Sequence, residues 1–273
     1  MSFQMLCMEP EENLQTFSVD SFLPPLIRLV NFEASAEIML LACRAIAYII
    51  EAIPGSSAAV VHFGSITPLC NKLMAIEYID VAEQALLTLH KISNEHAGQL
   101  LRARGIPAVL SHLDFFPISS QRTGMMTVAN MCKRVNSESI GSVLESIPQM
   151  SEMVLHTDGT VAEHVCTSFC RLVSSLSSNK EALEQIAGQG LIPNVWKVVS
   201  SWLLSSTGAD KDKTAQHANF GVELCSQLLQ MLATIASTSP KLCALILAQP
   251  EVGQVLRSKI LVERLEAGGG DFS

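Results

Sequence analysis

The sequence has 273 residues, 48% of them hydrophobic and 16% charged, with a formal net charge of −8. That composition supports a large buried core and excludes a disordered chain. Lys and Arg never cluster beyond a pair, so an acidic chain of this kind is not expected to bind nucleic acid.

In chain order, residues 1–20 form an acidic segment without a full helical repeat pattern, and they carry neither the basic nor the apolar region of a secretory signal. SFLPPLIRLV (21–30) reads as a short helix with proline in its first turn, where a missing N–H costs nothing. IMLLACRAIAYIIEAI (38–53) follows. A membrane span needs roughly 20 predominantly apolar residues. This run is shorter, contains Arg44 and Glu51, and stops at Pro54. Arg44, Tyr48 and Glu51 stand at i, i+4 and i+7, which puts them on one face of an otherwise apolar helix. A helix buried all round except for one stripe suits a stack in which each inner helix has neighbours on both sides. SSAAVVHFG (56–64) closes the unit as a third, short helix.

The same three-helix unit then recurs. Short helices start at SFLPPL, GSITPL, RGIPAVL, SIPQM and GLIPNV, and aligning Leu23, Ile66, Ile106, Ile147 and Ile192 gives spacings of 43, 40, 41 and 45 residues. Long-helix anchors keep step: Ala42/Ile46/Ile49, Ala85/Leu89/Ile92, Gly124/Val128/Met131, Val165/Phe169/Leu172 and Leu228/Leu232/Ile235. The closing helices are AGQLLRARG, SIGSVLES, ALEQIAGQG and LCALILAQP. No period-two strand pattern competes. A three-helix unit of this length with G-x-I-P-x-L turns and TVANM on the long helix predicts an all-α, right-handed α-solenoid of about five armadillo-type repeats over 21–262. The fourth repeat is interrupted by an insertion loop at about 200–218, and 263–273 reads as a flexible tail.

Stacked long helices line the concave side of such a solenoid. The column through the Asn of TVANM is Tyr48, Lys91, Asn130, Arg171 and Thr234. One turn earlier come Arg44, Leu87, Met126, Thr167 and Gln230, and one turn later Glu51, Asn94, Lys133, Ser174 and Ser237. These residues are either the solvated stripe of buried helices or a protein-binding groove. A repeated Trp…Asn clamp for basic peptides, as in nuclear import receptors, is missing from the column.

The chemistry-bearing residues are sparse. None of the eight cysteines forms a C-x-x-C pair, and most lie inside apolar helical pattern as small hydrophobes. Cys166 and Cys170 are spaced as half a metal site, but no second half follows, so core packing is the expectation and no cofactor or metal is expected. His90, His96 and His112 read as surface residues, and Asp80 with Glu83 as a solvated rim. No phosphate loop or nucleophile elbow is present. Free thiols imply a reducing compartment, cytoplasm or nucleus, and no membrane.

ACRAIAYIIEAIPGSSAAVV (42–61), IDVAEQALLTLHKIS (79–93) and LDFFPISSQRTGMMTVANMC (113–132) resemble the N-terminal armadillo-repeat region of HECT-type E3 ubiquitin ligases of the ubiquitin-fusion-degradation and thyroid-receptor-interactor type. Phe115 and Phe116 answer no general armadillo requirement. The resemblance covers roughly 20–260. It implies a recognition arm that holds protein substrates, ubiquitin or ubiquitylated proteins, with catalysis and E2 contact left to a HECT domain elsewhere, because no residue here matches its thioester-forming cysteine. Arg44, Tyr48, Glu51, Gln121, Arg122 and Asn130 are the contacts carried by the matched strings, and Lys91 and Arg171 join them through the groove column. The alternative reading is a stand-alone armadillo scaffold or adaptor without a ubiquitin role.

Overall fold

A computed structural model describes residues 18–53, 55–205, 221–250 and 252–253. Every regular element among them is helical. The chain forms two compact units, residues 1–134 and 135–273.

In the first unit the described helices are α1 (Leu23–Val30), α2 (Ala36–Ala52), α3 (Ser56–His62), α4 (Ile66–Ala75), α5 (Ile79–Arg102), α6 (Gly105–Leu110) and α7 (Ile118–Cys132), with a 3-10 turn at Leu113–Phe115 before α7. The second unit holds α8 (Ile140–Leu144), α9 (Ile147–Met153), α10 (Gly159–Ser175), α11 (Lys180–Ile186), a π turn (Ala187–Leu191), α12 (Ile192–Ser205), α13 (Val222–Thr238) and α14 (Pro240–Leu247). The short and long helices expected from the repeat register are present, and so are the closing helices, except that the one at 97–105 is continuous with α5.

Local chemistry sets the boundaries. Ser35 and Asp158 cap the long helices α2 and α10, their side chains accepting from the N–H of Ile38 at 3.3 Å and of Val161 at 3.0 Å. Asn179 caps α11 in the same way, accepting from Ala182 at 3.1 Å. Prolines occupy the first turn of α1, α9 and α14. The turn from α3 into α4 uses Gly64 at φ 82°. At the equivalent turn into α6 the left-handed residue is Arg104, at φ 57°. Gly105 is needed there for space instead: a Cβ on it would stand 2.8 Å from Met131 Sδ and 2.9 Å from the Leu100 carbonyl oxygen.

The long helices are the core. Ile46, Ile49, Leu89, Ile92, Val128, Met131, Phe169 and Leu172 are all fully buried. Gly124 stands where other repeats carry Ala42, Ala85 or Val165, and the structure gives the reason. A Cβ there would lie 2.6 Å from Leu113 Cδ1 and 3.3 Å from Val109 Cγ1, both on buried side chains. Gly124→Ala is expected to lower unfolding free energy by about 1–3 kcal/mol through overpacking, although alanine is the better helix former. Urea denaturation checks this, and a stabilised variant would contradict it.

Two boundaries differ from the sequence expectation. The closing helix after α5 is not separated from it: α5 runs on to Arg102 with a kink at His96 (φ −118°, ψ 31°). Residues 94–97 contain neither proline nor glycine, whereas the stretch after α2 includes Gly55 at φ 76°, so one non-helical residue makes the turn. The insertion also starts later than expected, because α12 continues through Ser205 with Trp202 buried. The remainder of that loop, the N-terminal residues 1–17 and the tail from 254 lie outside the described residues.

Candidate functional site: the exposed face of the long helices

In the first unit α5 packs between α2 and α7. The three present matched stripes: Arg44, Tyr48 and Glu51 on α2, Leu87, Lys91 and Asn94 on α5, and Met126 and Asn130 on α7 with Lys133 just past its end. Polar bonds tie the stripes side by side. Arg44 Nε donates to Gln84 Oε1 at 3.4 Å, and Lys91 Nζ pairs with Glu51 Oε2 at 2.9 Å. Asn130 Nδ2 donates to Ser93 Oγ at 3.0 Å and to Asn94 Oδ1 at 3.1 Å. These bonds span one repeat and hold the side chains in place before any partner arrives, which lowers the ordering entropy that binding must overcome.

The face is apolar as well as polar. Leu87 and Met126 are each 40% exposed and Leu41 is 55% exposed, on helices whose anchor residues are buried. The sequence placed Leu87 and Met126 on the same rung as Arg44, and their exposure is what adds them to the site. Beyond Glu51, a cavity of about 280 Å³ opens between Ile50, Gly55, Ser57, Asn94 and Glu95, with Glu51 and Lys91 on its wall.

The expected contacts divide. Arg44, Tyr48, Glu51, Lys91 and Asn130 share the face, and Arg122 lies on its α7 stripe, eight residues before Asn130. Gln121 does not belong to it. It is 7% exposed, and its Nε2 donates to the Phe116 carbonyl at 2.9 Å, fastening the 3-10 turn to α7. One residue along a helix is a rotation of about 100°, enough to take Gln121 from the open stripe of Arg122 into the core side. Arg171 is half-buried on α10 of the second unit and is a feature of that unit.

The histidines also correct the sequence reading. His90, His96 and His112 are half-buried rather than surface residues, and each bridges to another helix: His90 Nδ1 to Thr127 Oγ1 at 3.1 Å, His96 Nε2 to Ser57 Oγ at 3.2 Å, and His112 Nε2 to the Met74 carbonyl at 3.1 Å. A signal for the first existed. Thr88 and Thr127 occupy the same repeat register, and Thr88 likewise reaches back one repeat, donating to the Cys43 carbonyl at 3.3 Å.

Arg44 has the geometry of a surface contact, not of a buried ion pair. Arg44→Ala is therefore expected to change stability by less than about 1 kcal/mol. A loss above about 3 kcal/mol in urea denaturation would mark it as structural.

Burial pushes the thiols of Cys43, Cys70 and Cys170 up to about 12, and raises that of Cys166 further. At neutral pH all four are protonated and poor nucleophiles. Among the described residues no group of three or more His, Cys, Asp or Glu is arranged to hold a metal ion. No described helix is long and apolar enough to cross a membrane.

A pre-ordered polar and apolar face on stacked long helices defines an armadillo-type repeat protein, and solved structures agree. A designed armadillo repeat protein in complex with the peptide (KR)4 superimposes with a TM-score of 0.64 over 85% of this chain and 90% of its own, at 18% identity. A computationally designed armadillo protein for modular peptide recognition gives 0.64 over 84% of this chain and 90% of its own, also at 18% identity. At that identity the likeness concerns the fold alone.

Sequence similarity narrows the class. A family model described as E3 ubiquitin-protein ligase TRIP12-like, TPR repeats, matches residues 3–102. The chain is 38% identical over 87% of its length to E3 ubiquitin-protein ligase UPL3 of Arabidopsis thaliana, covering 12% of that protein. It is 37% identical over 72% of its length to E3 ubiquitin-protein ligase TRIP12 of Danio rerio, covering 10% of it. Ubiquitin fusion degradation protein 4 of Saccharomyces cerevisiae is 26% identical over 60% of the chain, which covers 11% of that relative. The chain belongs with the N-terminal repeat region of HECT-type E3 ubiquitin ligases of the TRIP12 and ubiquitin-fusion-degradation type. Its three-helix unit is longer than the helix pair of about 34 residues that defines a tetratricopeptide repeat.

Proposed function

We propose that this chain is a protein-docking module of such a ligase, and that the exposed face of α2, α5 and α7 holds a substrate protein, ubiquitin or a ubiquitylated protein for transfer by a catalytic domain outside this chain. The observation that carries the reading is the combination on one face of Tyr48, Leu87 and Met126 with bonded polar pairs at Arg44–Gln84, Lys91–Glu51 and Asn130–Asn94. Apolar contacts supply affinity, and fixed polar groups set register. The peptide bound to the designed armadillo neighbour supports a protein partner for a face of this kind. Arg44, Tyr48, Glu51, Lys91, Arg122 and Asn130 are the proposed polar and aromatic contacts, with Arg171 a separate contact on the second unit. The buried, protonated thiols suit a reducing compartment, cytoplasm or nucleus.

Hydrogen exchange with and without saturating ubiquitin, and with a ubiquitin fusion, tests the placement. Protection is expected in α2, α5 and α7 of the first unit. Protection confined to other helices would remove the face from the reading.

A further inference from the structure

The turns that lead into α5 and α7 carry apolar side chains that the core leaves exposed, beyond the Leu87 and Met126 rung of the groove face. In the pair Phe115-Phe116 the second ring goes inward, at 4% exposure, while Phe115 is 70% exposed. Met74, Tyr78, Ile79 and Ile118 are exposed beside these turns, between 38% and 48%. Isolated exposed apolar residues are ordinary, but a contiguous set is not.

The two turns are joined into one surface. His112 Nε2 donates to the Met74 carbonyl at 3.1 Å, and its ring meets Phe115 edge-on with centroids 5.9 Å apart. Ser120 Oγ donates to Glu83 Oε1 at 2.7 Å, which ties the first turn of α7 to that of α5. Ile76, the cap of α4, is held at φ 43°, a conformation that a β-branched residue rarely adopts. Strain of this kind persists only where the surroundings over-determine it, and it collects at ligand-contacting sites.

Charge selects the occupant. Glu77, Asp80 and Asp114 are exposed around the apolar residues, against the basic side chains of Lys72 and Arg122 on the adjoining helices. An acidic rim on a chain of net charge −8 disfavours anionic lipid and nucleic acid. It also disfavours a second copy, since a two-fold contact would set the same carboxylates against each other. What fits is an apolar stripe flanked by cations.

We propose that Met74, Tyr78, Ile79, Phe115 and Ile118 form a second docking surface, which takes a short amphipathic segment of a partner protein whose apolar stripe is flanked by Lys and Arg. Phe115 is its anchor, and the rim carboxylates give orientation and salt-sensitive attraction. The surface adjoins the end of the groove stripe, where Arg122 stands one turn from Ile118, and lies away from Tyr48 on α2.

Fluorescence anisotropy on the full chain tests it, with a labelled synthetic helical peptide carrying a leucine stripe flanked by Lys and Arg, and a twin in which Glu replaces the cations. The basic peptide is expected to bind saturably. Phe115→Ser should weaken it at least about tenfold with helicity unchanged. The triple variant Glu77→Gln/Asp80→Asn/Asp114→Asn should weaken it and flatten its salt dependence, while Tyr48→Ala, on the groove face, leaves it unaltered. The proposal is overturned by any of four results: no saturable binding, equal affinity for Phe115→Ser, equal binding of the acidic twin, or a Phe115-dependent dimer in sedimentation that excludes the peptide.

Discussion

Phe169→Ala is expected to destabilise the second unit by about 3–5 kcal/mol. Phe169 is the central anchor of α10 and is completely buried, as are Val165 and Leu172 one turn to either side. It stands in the repeat register of Ile46, Leu89 and Val128, so the ring fills a place that aliphatic side chains fill elsewhere. α10 packs against α9 and α13, and these helices cannot close over a missing ring without giving up their own contacts. The loss is therefore transfer free energy plus a residual cavity. Urea denaturation followed by circular dichroism gives the size. Hydrogen exchange gives the place, with faster exchange expected first in α10 and α13. A change under about 1 kcal/mol would mean that the ring is not part of a packed core.

Leu89→Ala is expected to lower stability by about 2–5 kcal/mol. Leu89 is fully buried at the middle of α5, the helix that packs against α2, α4 and α7. Repeat proteins take their stability from neighbour interfaces, and α5 takes part in interfaces on both sides. The substitution is thus expected to weaken the whole first unit, whereas Arg44→Ala, on the open stripe of the neighbouring helix, leaves it nearly unchanged. That contrast is the energetic signature of a helix with one exposed face. Equal losses for Leu89→Ala and Arg44→Ala would mean that the stripe of α2 is not open.

The repeat was legible because packing repeats. Leu23, Ile66, Ile106, Ile147 and Ile192 must each reach the same kind of buried place, so they recur at near-constant spacing, and all five are buried. The stripe of Arg44, Tyr48 and Glu51 was legible for the complementary reason, as polar residues at helical period on an apolar helix. Gln121 was a different case. It neighbours Arg122 in the matched string, but it stands three residues before Gly124 and seven before Val128, on the anchor side of α7, and that periodicity outweighs the string. Phe115 and Phe116 are a harder case: one is a core residue and one is exposed, and the two letters are identical. The kink at His96 and the length of α12 depend on single non-helical residues and on burial of Trp202, for which periodicity carries no signal. The histidine bridges join residues 37 to 39 positions apart, a distance at which the sequence gives register but not geometry.

The docking role of the groove face is tested most directly by titrating the folded chain with mono-ubiquitin and with di-ubiquitins of defined linkage, alongside an Arg44→Ala/Tyr48→Ala variant. Both substitutions lie on the shared face and leave the buried anchors of α2 in place, so helicity serves as the folding control. The predicted result is saturable binding to at least one of these ligands, weakened at least about tenfold in the variant. Binding that is indifferent to the double substitution, or no binding by a chain with intact helicity, would contradict a ubiquitin-holding face on α2, α5 and α7.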